Sequence, residues 1–453
     1  MTAMKPWRNQ SEEADMIASR PFAFIGAEPG TGKTGAAILG VLSKDAVLVV
    51  CPIAVGPAWV KQFALWDPDR TVVLAVEGKS SDRAESILEA VNGSRVAVVV
   101  NYDAMWRGKL GEAIRETKWD AIVLDESHKI KSPSGRASKF AAKLAKEQPS
   151  ATRVCLSGTP TPHSPLDWWS QFRFLDESVL GKSYTAYRAR IADTHPRFPG
   201  MITRFKQDAL EALSKRIDEH VYRIRMDDVL DLPEMIHTEL PVILDLPSLR
   251  FYRELEAELT ATLETGERVT AANRLSVITR LQQATSGYTV DELGNEVQTS
   301  KKNAKSDVFR EWLENLSSDE PLVVFCRFIR DIDECCKVLR ETGRTVSELS
   351  GRKKQLASWQ NGDTLSLVVQ QQAGGVGVDC TRAAFACYYS LSHSLGDYEQ
   401  SLARLRRPGQ TRVTRIYHLV SQKTIDTTIY KSLQGKRDVV EEVLNRLTRR
   451  TSA

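Results

Sequence analysis

Residues 27 to 34 read AEPGTGKT and separate the apolar run FAFI, at 22 to 25, from the helical stretch GAAILGVL, at 35 to 42. A strand, a glycine-rich turn and a helix in this order place backbone N–H groups and the positive end of the helix around phosphate oxygens. Ala27 stands where the strict consensus for such a loop has Gly. The stretch predicts a nucleotide-phosphate site, and a glycine-rich turn without a ligand is the alternative.

The residue types of this loop suit phosphate chemistry. Gly30 and Gly32, with Thr31 between them, let backbone N–H groups close on phosphate oxygens. Lys33 supplies a positive charge to the outer phosphates, and Thr34 can hold Mg²⁺ through its hydroxyl. We therefore expect this loop to bind the phosphates of a nucleotide.

The composition is typical of a multidomain protein without membrane-spanning helices, disulfides or a zinc site. The 453 residues, 42% of them hydrophobic, are enough for two or three domains of about 150 residues. No apolar stretch reaches the roughly 20 residues of a membrane-spanning helix, and the N-terminus lacks the apolar segment of a secretory signal. The seven cysteines form no C-x-x-C pair and suggest neither disulfides nor a zinc site. We expect a cytoplasmic protein without a membrane partner.

Positive charge is concentrated near the end of the chain. The net charge is only +4, but residues 401 to 453 contain 12 Lys or Arg against 4 Asp or Glu. Such a segment favours a nucleic-acid partner, although a solvated helix face has the same composition.

Short apolar runs, rich in Val and Ile, recur along the chain. Runs of this kind, bounded by turn residues and separated by helical patterns, predict buried parallel strands with crossover helices. They are FAFI at 22, AVLVVCPI at 46, TVVLAV at 71, RVAVVV at 95, AIVLDE at 121, RVCLSGTP at 153, PLVVFC at 321, LSLVVQ at 365, FACYYSL at 385 and TRIYHLV at 414. The sequence predicts two α/β sheets, one on each side of a helical, charged region over about 208 to 316, with DDVLDLPEM at 227 as the crossing point.

Two adjacent carboxylates end one of these runs, in AIVLDESHKIK at 121 to 131. Asp125 would bind the metal, directly or through water, and Glu126 would orient or deprotonate the attacking water. A solvated turn is the alternative, and the phosphate loop upstream argues against it. The tetrapeptide SGTP at 157 to 160, by contrast, reads by itself as a turn after a strand.

Two stretches of the second half also suit nucleotide chemistry. In QQAGGVGVDCTRA, at 371 to 383, the glycines at 374, 375 and 377 would let the backbone approach a ligand. In EQSLARLRRPGQTR, at 399 to 412, Arg404 and Arg407 are three residues apart and share one helix face. Arginine there can clamp a γ-phosphate, whereas the alternative is a basic surface helix.

In this order, the stretches resemble the motifs of the SWI/SNF-type branch of superfamily-two helicases, the double-stranded DNA translocases, over nearly the whole chain. AEPGTGKT resembles motif I, the stretch at 48 to 63 with Trp59 motif Ia, VVVNYDAM at 98 motif Ib, LDESHKIKS motif II, the stretch at 155 to 175 motif III, and VVFCRF at 323 motif IV. QQAGGVGVDCTRA resembles motif V, and YEQSLARLRRPGQ at 398 resembles motif VI. The sequence patterns of these last two motifs are much more specific to this family than a phosphate loop is.

The resemblance implies an α/β fold of two RecA-like domains with parallel sheets, an ATP cleft between the domains and a small helical insertion. The expected boundaries are residues 1–235 for the first domain, 236–299 for a linker and the helical insertion, and 300–453 for the second domain. ATP and Mg²⁺ are the implied cofactors.

The resemblance also assigns roles to single residues. KPWRNQ, at 5 to 10, resembles the entry motif in which a Gln reads adenine, a role that falls to Gln10. Gly377 and Asp379 would contact the nucleotide, and Arg404 and Arg407 would reach the γ-phosphate from the second domain. The chain departs from the family pattern, without losing a catalytic group, at Ala27, Pro29, Asp379 and Pro408.

The implied function is an ATP-dependent motor that moves along or remodels double-stranded or branched DNA. Phosphate contacts would come from side chains on the DNA-facing surface, and each candidate has a solvated-face alternative. The candidates are Tyr102, Lys129, Lys131, Arg352, Lys353 and Lys354. The sequence does not name a protein partner.

Two other functions stay open. A strand-separating or branch-migrating helicase acting on forked DNA or RNA would use a similar motor. A nucleotide-gated binding module without catalysis would be expected to lack Glu126 or Arg407, and both are present. A minimal motor of this kind suits a small bacterial or viral genome, so we expect it in a bacterial cytoplasm or an infected host cell.

Overall fold

The apolar runs form the strands of two parallel sheets in a computed structural model. The structure describes residues 5–93, 95–158, 160–161, 164–195, 198–265, 271–290, 295–300, 303–372 and 378–435. The chain divides into two compact units, Met1–Asp231 and Leu232–Ala453, and the division falls inside DDVLDLPEM. The predicted α/β class with two parallel sheets is confirmed.

The first unit is built on a seven-stranded sheet of order β3-β4-β2-β5-β6-β1-β9, in which every pairing is parallel. Its strands are β1 (Phe22–Ala27), β2 (Ala46–Cys51), β3 (Thr71–Ala75), β4 (Val96–Asn101), β5 (Ala121–Asp125), β6 (Thr152–Leu156) and β9 (Val221–Ile224), and β7 (Ala192–His195) pairs with β8 (Phe198–Phe205) as an antiparallel hairpin. Its helices are α1 (Arg8–Ser19), α2 (Lys33–Gly40), α3 (Gly56–Trp66), α4 (Ser80–Val91), α5 (Gly108–Glu116), α6 (Arg136–Glu147), α7 (Asp167–Leu175), α8 (Glu177–Leu180), α9 (Tyr184–Ile191), α10 (Gln207–Asp218) and α11 (Met226–Val229), with 3₁₀ turns at Ile53–Val55 and Ser127–Ile130.

The second unit is built on a six-stranded parallel sheet of order β10-β17-β16-β13-β15-β14. Its strands are β10 (Met235–Val242), β13 (Leu322–Cys326), β14 (Val346–Leu349), β15 (Ser366–Gln370), β16 (Phe385–Tyr388) and β17 (Thr414–Ser421), and β11 (Tyr288–Val290) pairs with β12 (Glu296–Gln298) as a small antiparallel sheet. Its helices are α12 (Leu246–Thr265), α13 (Ala271–Thr285), α14 (Ala304–Glu314), α15 (Ile329–Glu341), α16 (Leu356–Gln360), α17 (Leu395–Leu405) and α18 (Ile425–Gln434).

The central strands are apolar throughout because helices cover both faces of each sheet. In β13, Val323 and Phe325 pack into one core cluster, whereas Leu322 and Val324 pack into another. Successive side chains of a strand point to opposite faces, so a strand buried on both sides needs an unbroken apolar run. This is the pattern from which the strands were predicted.

One buried arginine fastens the edge of the first sheet. Arg70 lies just before β3, its side chain is fully buried, and its Nε donates to Asp67 Oδ2 at 2.6 Å. The remaining donors reach backbone carbonyls around the strand ends, those of Val41, Lys44, Asp45 and Val96. A buried guanidinium must satisfy its donors, and these bonds tie three chain segments together.

The region expected as a linker and helical insertion, 236–299, contains both strand and helix. Most of β10 lies in it and pairs with β17 in register along its length, from Met235 with Thr414 to Val242 with Ser421. The helices α12 and α13 follow. The domain boundaries given above remain a prediction. No helix in the part of the chain that the structure describes is long and apolar enough to span a membrane.

Candidate functional site

The phosphate-loop stretch connects β1 to α2. Gly30 and Gly32 have φ angles of 93° and 85°, a backbone conformation that residues with a Cβ rarely adopt. Gly32 is the N-cap of α2, and the helix begins with Lys33. No side chain caps this end, so the N–H groups of the first turn are left for a ligand at the loop. Thr31 is buried and its Oγ1 donates to Glu28 O at 2.8 Å, whereas Thr34 is half-buried. The loop geometry fits a phosphate group.

Two side chains of helix α1 form hydrogen bonds to the backbone of this loop. Asn9 Nδ2 donates to Thr31 O at 2.8 Å, and Gln10 Nε2 donates to Gly32 O at 3.0 Å. A Cβ added at Gly32 would lie 2.4 Å from Gln10 Nε2, so glycine is required there by contact as well as by φ. Gln10 Oε1 accepts from Trp7 N at 2.9 Å, and the side chain is buried. The amide expected to read adenine is therefore engaged with the phosphate loop in this structure.

The two carboxylates lie at the carboxyl end of β5, next to the loop lysine. Both are buried, and Lys33 Nζ is 4.0 Å from Glu126 Oε1, longer than a hydrogen bond. Glu126 has φ 52° and ψ 50°, a left-handed conformation that is unusual for a residue with a side chain. Such strain is concentrated at functional sites, where the surrounding structure maintains it.

The two carboxylates differ in electrostatic environment. Burial, followed by the charge of Glu126, raises the pKa of Asp125 above its ordinary value. Burial would also raise the pKa of Glu126, but the charge of Lys33 and the nearby imidazole of His128 outweigh it and lower that pKa. Glu126 is therefore the carboxylate held ionised by its neighbours.

The segment that follows β6 packs on the same site. His128 Nδ1 lies 3.3 Å from Glu126 Oε2 and 3.2 Å from Ser157 Oγ, so the imidazole connects the acidic pair to the SGTP stretch. A Cβ added at Gly158 would lie 2.7 Å from Pro29 Cδ of the phosphate loop. Ser157 and Gly158 thus contact the histidine and the loop, which the reading of the tetrapeptide as a plain turn did not predict.

Trp59 and Tyr102, from segments after β2 and β4, hold Asp125. Trp59 Nε1 donates to Asp125 Oδ2 at 2.8 Å, and the Tyr102 hydroxyl donates to the Asp125 carbonyl at 2.8 Å. Both side chains are buried. Tyr102 was expected on a nucleic-acid surface, but its hydroxyl is inside the unit and engaged with the protein backbone.

The other nucleic-acid candidates are at the surface. Lys129 is exposed and Lys131 is half-buried. Arg352 is exposed and forms ion pairs with Glu348, at 2.7 Å, and with Asp333. Lys353 Nζ lies 3.3 Å from Glu348 Oε2, and Lys354 is exposed. Two of these cations are thus paired with carboxylates, and their contact with nucleic acid remains a prediction.

The second unit brings the motif V-like and motif VI-like stretches together. Arg407 Nη1 donates to Val378 O at 3.1 Å, and Cys380 N donates to Arg404 O at 3.0 Å. Asp379 Oδ1 accepts from the backbone N and the hydroxyl of Thr381, so this carboxylate closes a turn. Residues 373–377, including the predicted Gly374, Gly375 and Gly377, lie outside the described residues.

Arg404 is a buried cation at the end of α17. Only 5% of the residue is exposed, and its Nη1 has no hydrogen-bond partner among the described residues. Burial lowers the pKa of the guanidinium. A buried donor without a partner costs free energy, so this nitrogen is a candidate for an anionic ligand.

The residues present in the first unit fit ATP with Mg²⁺. The left-handed glycines and the N-terminus of α2 offer N–H groups to phosphate, and Lys33 offers charge. Thr34 and Asp125 offer the oxygen ligands that Mg²⁺ prefers, and Mg²⁺ is usually held by one or two protein oxygens together with substrate phosphates. A further carboxyl, Glu13 of α1, also lies near the charge of Lys33.

Comparison with known proteins gives two consecutive family matches. A model of the SNF2-related domain matches residues 4–288, and a model of the helicase conserved C-terminal domain matches residues 304–409. An uncharacterised ATP-dependent helicase of Mycoplasma genitalium is 23% identical over 444 residues, which cover 93% of this chain. The chain spans only 40% of that relative's length.

A phage protein and a solved structure match over nearly their whole length. Protein p41 of Acyrthosiphon pisum secondary endosymbiont phage 1 is 25% identical over 457 residues, which cover 94% of this chain and 95% of the phage protein. The crystal structure of the Pyrococcus furiosus Hef helicase domain covers 94% of this chain and 98% of that domain, with a TM-score of 0.54 and 14% identity. That likeness shows the fold.

The buried Glu13 predicts a pH dependence of stability. Burial raises the pKa of this carboxyl from 4.5 to about 7, while Asn9 and Lys33 oppose the shift. Between these values the folded state binds the proton more tightly than the unfolded state, so stability falls as pH rises, by about 3 kcal/mol in all. Glu13→Gln removes the titrating group, so its stability relative to wild type should rise over this range and level off above about pH 7. Urea unfolding from about pH 5 to 8, followed by tryptophan fluorescence, measures this.

The neighbouring Glu12 is the matched control. Its pKa is lowered by the hydrogen bond from Tyr222 and then that from Arg8, so Glu12→Gln should give no such gain. Parallel pH profiles for Glu13→Gln and wild type would contradict the prediction.

Proposed function

The chain belongs to the SNF2-related family of helicase superfamily two, and from this premise we propose that it is an ATP-driven motor that moves along or remodels double-stranded or branched DNA. The observation that carries the proposal is the convergence of Lys33, Asp125 and Glu126 at one edge of the first sheet, beside a glycine loop with left-handed φ angles. A lysine at a helix N-terminus, together with two buried carboxylates at a strand end, can bind and hydrolyse a nucleoside triphosphate.

The phosphate loop would bind the triphosphate. Backbone N–H groups around Gly30 and Gly32 would surround the phosphate oxygens, and Lys33 would move from Glu126 towards them. Its 4.0 Å separation from Glu126 Oε1 supports this, because no short hydrogen bond has to break. We also propose that Gln10 binds adenine. To do so, its side-chain amide would have to give up the hydrogen bond to Gly32 O.

The acidic pair would carry out hydrolysis. Glu126 would accept the proton of the attacking water, since its neighbours keep the carboxylate ionised. Thr34 and Asp125 would hold Mg²⁺, which neutralises charge on the outer phosphates when bound. His128 would hold the second oxygen of Glu126, leaving the first for the water.

The second unit would complete the reaction. We propose that Arg404 and Arg407 stabilise charge on the γ-phosphate during hydrolysis, and that Gly377 and Asp379 contact the nucleotide. The buried Nη1 of Arg404, without a partner among the described residues, supports an anionic ligand there. Arg407 would exchange its bond to the Val378 carbonyl for phosphate oxygens. Alternate binding and release of the γ-phosphate by this unit would drive stepwise movement.

ATP turnover in the presence of different nucleic acids tests the proposed function. Surface cations such as Lys129 would contact phosphates, and the proposed function makes duplex DNA the expected activator. ATP turnover should therefore rise with duplex or branched DNA, and this rise should fall steeply with added salt. Turnover measured without nucleic acid and with duplex, single-stranded, forked DNA and RNA checks this. Equal activation by RNA, or none by duplex, would favour the strand-separating helicase, and efficient unwinding of a blunt duplex would do the same.

Lys33 and Glu126 should separate binding from hydrolysis. Lys33→Ala should weaken nucleotide binding and abolish turnover, because the loop loses its cation. Glu126→Gln should keep binding and lower turnover by at least about a hundredfold, because the amide cannot accept a proton. Binding of a fluorescent ATP analogue and steady-state turnover measure the two effects. If Glu126→Gln loses ATP binding as well, the role assigned to this carboxylate is wrong.

Arg407 should act on turnover rather than on DNA affinity. An arginine that stabilises the transition state contributes about a thousandfold to turnover, whereas a surface arginine contributes about one phosphate contact to the salt dependence of binding. We expect Arg407→Ala, and also Arg407→Lys, to lower turnover at saturating DNA by this order with DNA affinity nearly unchanged. The exposed Arg415, stacked on Phe385, offers the matched control Arg415→Ala. Wild-type turnover with poor DNA binding in Arg407→Ala would overturn the proposal.

A further inference from the structure

Trp59 contacts the acidic pair from helix α3, which follows β2. Its indole is 1% exposed and its Nε1 donates to Asp125 Oδ2 at 2.8 Å. The ring packs against Phe63 one turn later, with centroids 5.9 Å apart, so the N–H direction is set by core packing. The other oxygen of the carboxylate, Oδ1, accepts from Glu126 N at 3.0 Å.

Tyr102 contacts the same residue from the segment that follows β4. Its hydroxyl donates to the carbonyl of Asp125 at 2.8 Å, directly before the left-handed Glu126. The phenol is buried at the end of the sheet, within the core cluster of the first unit. The side chain and the main chain of Asp125 are thus held by two different segments.

We propose that Trp59 and Tyr102 are positioning residues of the ATP site, where Trp59 holds the carboxylate of Asp125 in the orientation that receives Mg²⁺ and Tyr102 holds the turn that presents Glu126. This inference rests on the proposed function and adds to it the two side chains that fix the acidic pair. Neither side chain touches the reacting atoms.

The physical reason lies in the burial of the carboxylate. An ionised oxygen inside a protein needs a donor, and a rigid indole N–H supplies one without competing for the metal as a second cation would. Such outer partners orient metal ligands, and their loss typically weakens metal affinity about tenfold to a hundredfold. With Trp59 replaced by Phe, Asp125 Oδ2 loses that donor and the side chain is free to turn away.

A buried tryptophan can also serve packing alone, and the chain offers a matched control. Trp119 is likewise 1% exposed, and its Nε1 donates to Ile114 O at 2.7 Å, within the core cluster that contains Tyr102. Trp119→Phe therefore removes an indole hydrogen bond of the same kind that does not involve Asp125.

Mg²⁺-dependent nucleotide binding separates these roles. The affinity of a fluorescent ATP analogue is measured by titration with Mg²⁺ and in EDTA, for wild type, Trp59→Phe, Trp119→Phe and Asp125→Asn. Trp59→Phe should need about tenfold to a hundredfold more Mg²⁺ for half-maximal effect, with unchanged affinity in EDTA, whereas Trp119→Phe should match wild type. In the Asp125→Asn background, Trp59→Phe should have no further effect, since both changes act on one carboxylate.

Two further variants test the inference if Trp59→Phe does not fold. Replacement of Trp59 by benzothienylalanine keeps the shape of the indole without its N–H and should reproduce the Mg²⁺ effect of Trp59→Phe. Tyr102→Phe should lower turnover at saturating Mg²⁺ by about tenfold, with nucleotide binding less affected, because it loosens the turn of Glu126.

The outcomes distinguish this inference from the proposed function. A wild-type protein whose nucleotide binding does not respond to Mg²⁺ or to Asp125→Asn would remove the proposed metal site, and this inference with it. A normal wild-type response combined with a wild-type Mg²⁺ requirement in Trp59→Phe, or an equal change in Trp119→Phe, would overturn the positioning role alone.

Discussion

Burial of two adjacent carboxylates at the end of β5 is the constraint on which the first unit depends. Asp125 and Glu126 are 2% and 3% exposed, and charge without partners at such a place costs several kcal/mol. Donors and cations must therefore converge there, and the parallel sheet makes this possible because the carboxyl ends of its strands share one edge. Lysine comes from the loop after β1, tryptophan from the helix after β2 and tyrosine from the segment after β4.

The second unit shows how paired and unpaired buried charges differ. Lys305 and Asp426 are both buried and 2.8 Å apart, and Lys305 also donates to Thr285 Oγ1, so this pair is satisfied within the protein and ties α14 to α18. Arg404 is equally buried, but its Nη1 lacks a partner among the described residues. Several other buried side-chain atoms of this unit, Arg327 Nη1 among them, also lack a partner among the described residues. The unpaired nitrogen is therefore compatible with the proposed anionic ligand at Arg404, and the motif VI-like stretch is what distinguishes this arginine from the others.

The predicted strands and the strands that were not predicted lie at different places in the two large sheets. All ten apolar runs form strands. The strands of the two large sheets that were not predicted, β9, β10 and β14, each lie at an edge. An edge strand has one unpaired side and often one solvated face, so it carries polar residues, as in MIHTELPV of β10, and lacks the unbroken apolar run of a central strand. Length and pattern alone do not distinguish such a segment from a loop.

The sequence by itself determined the family, the two parallel sheets and the candidates Lys33, Thr34, Asp125 and Glu126, because backbone geometry at a phosphate loop and at a strand end requires those residue types at fixed spacing. Tertiary structure alone decided which side chains surround them. Trp59 and Tyr102 meet Asp125, His128 meets Ser157, and Gln10 meets Gly32, through contacts between segments up to 66 residues apart. A hydrogen bond between distant segments depends on strand order and helix packing, and these leave no periodic signal in the chain. The burial of Tyr102, expected at the surface, has the same origin.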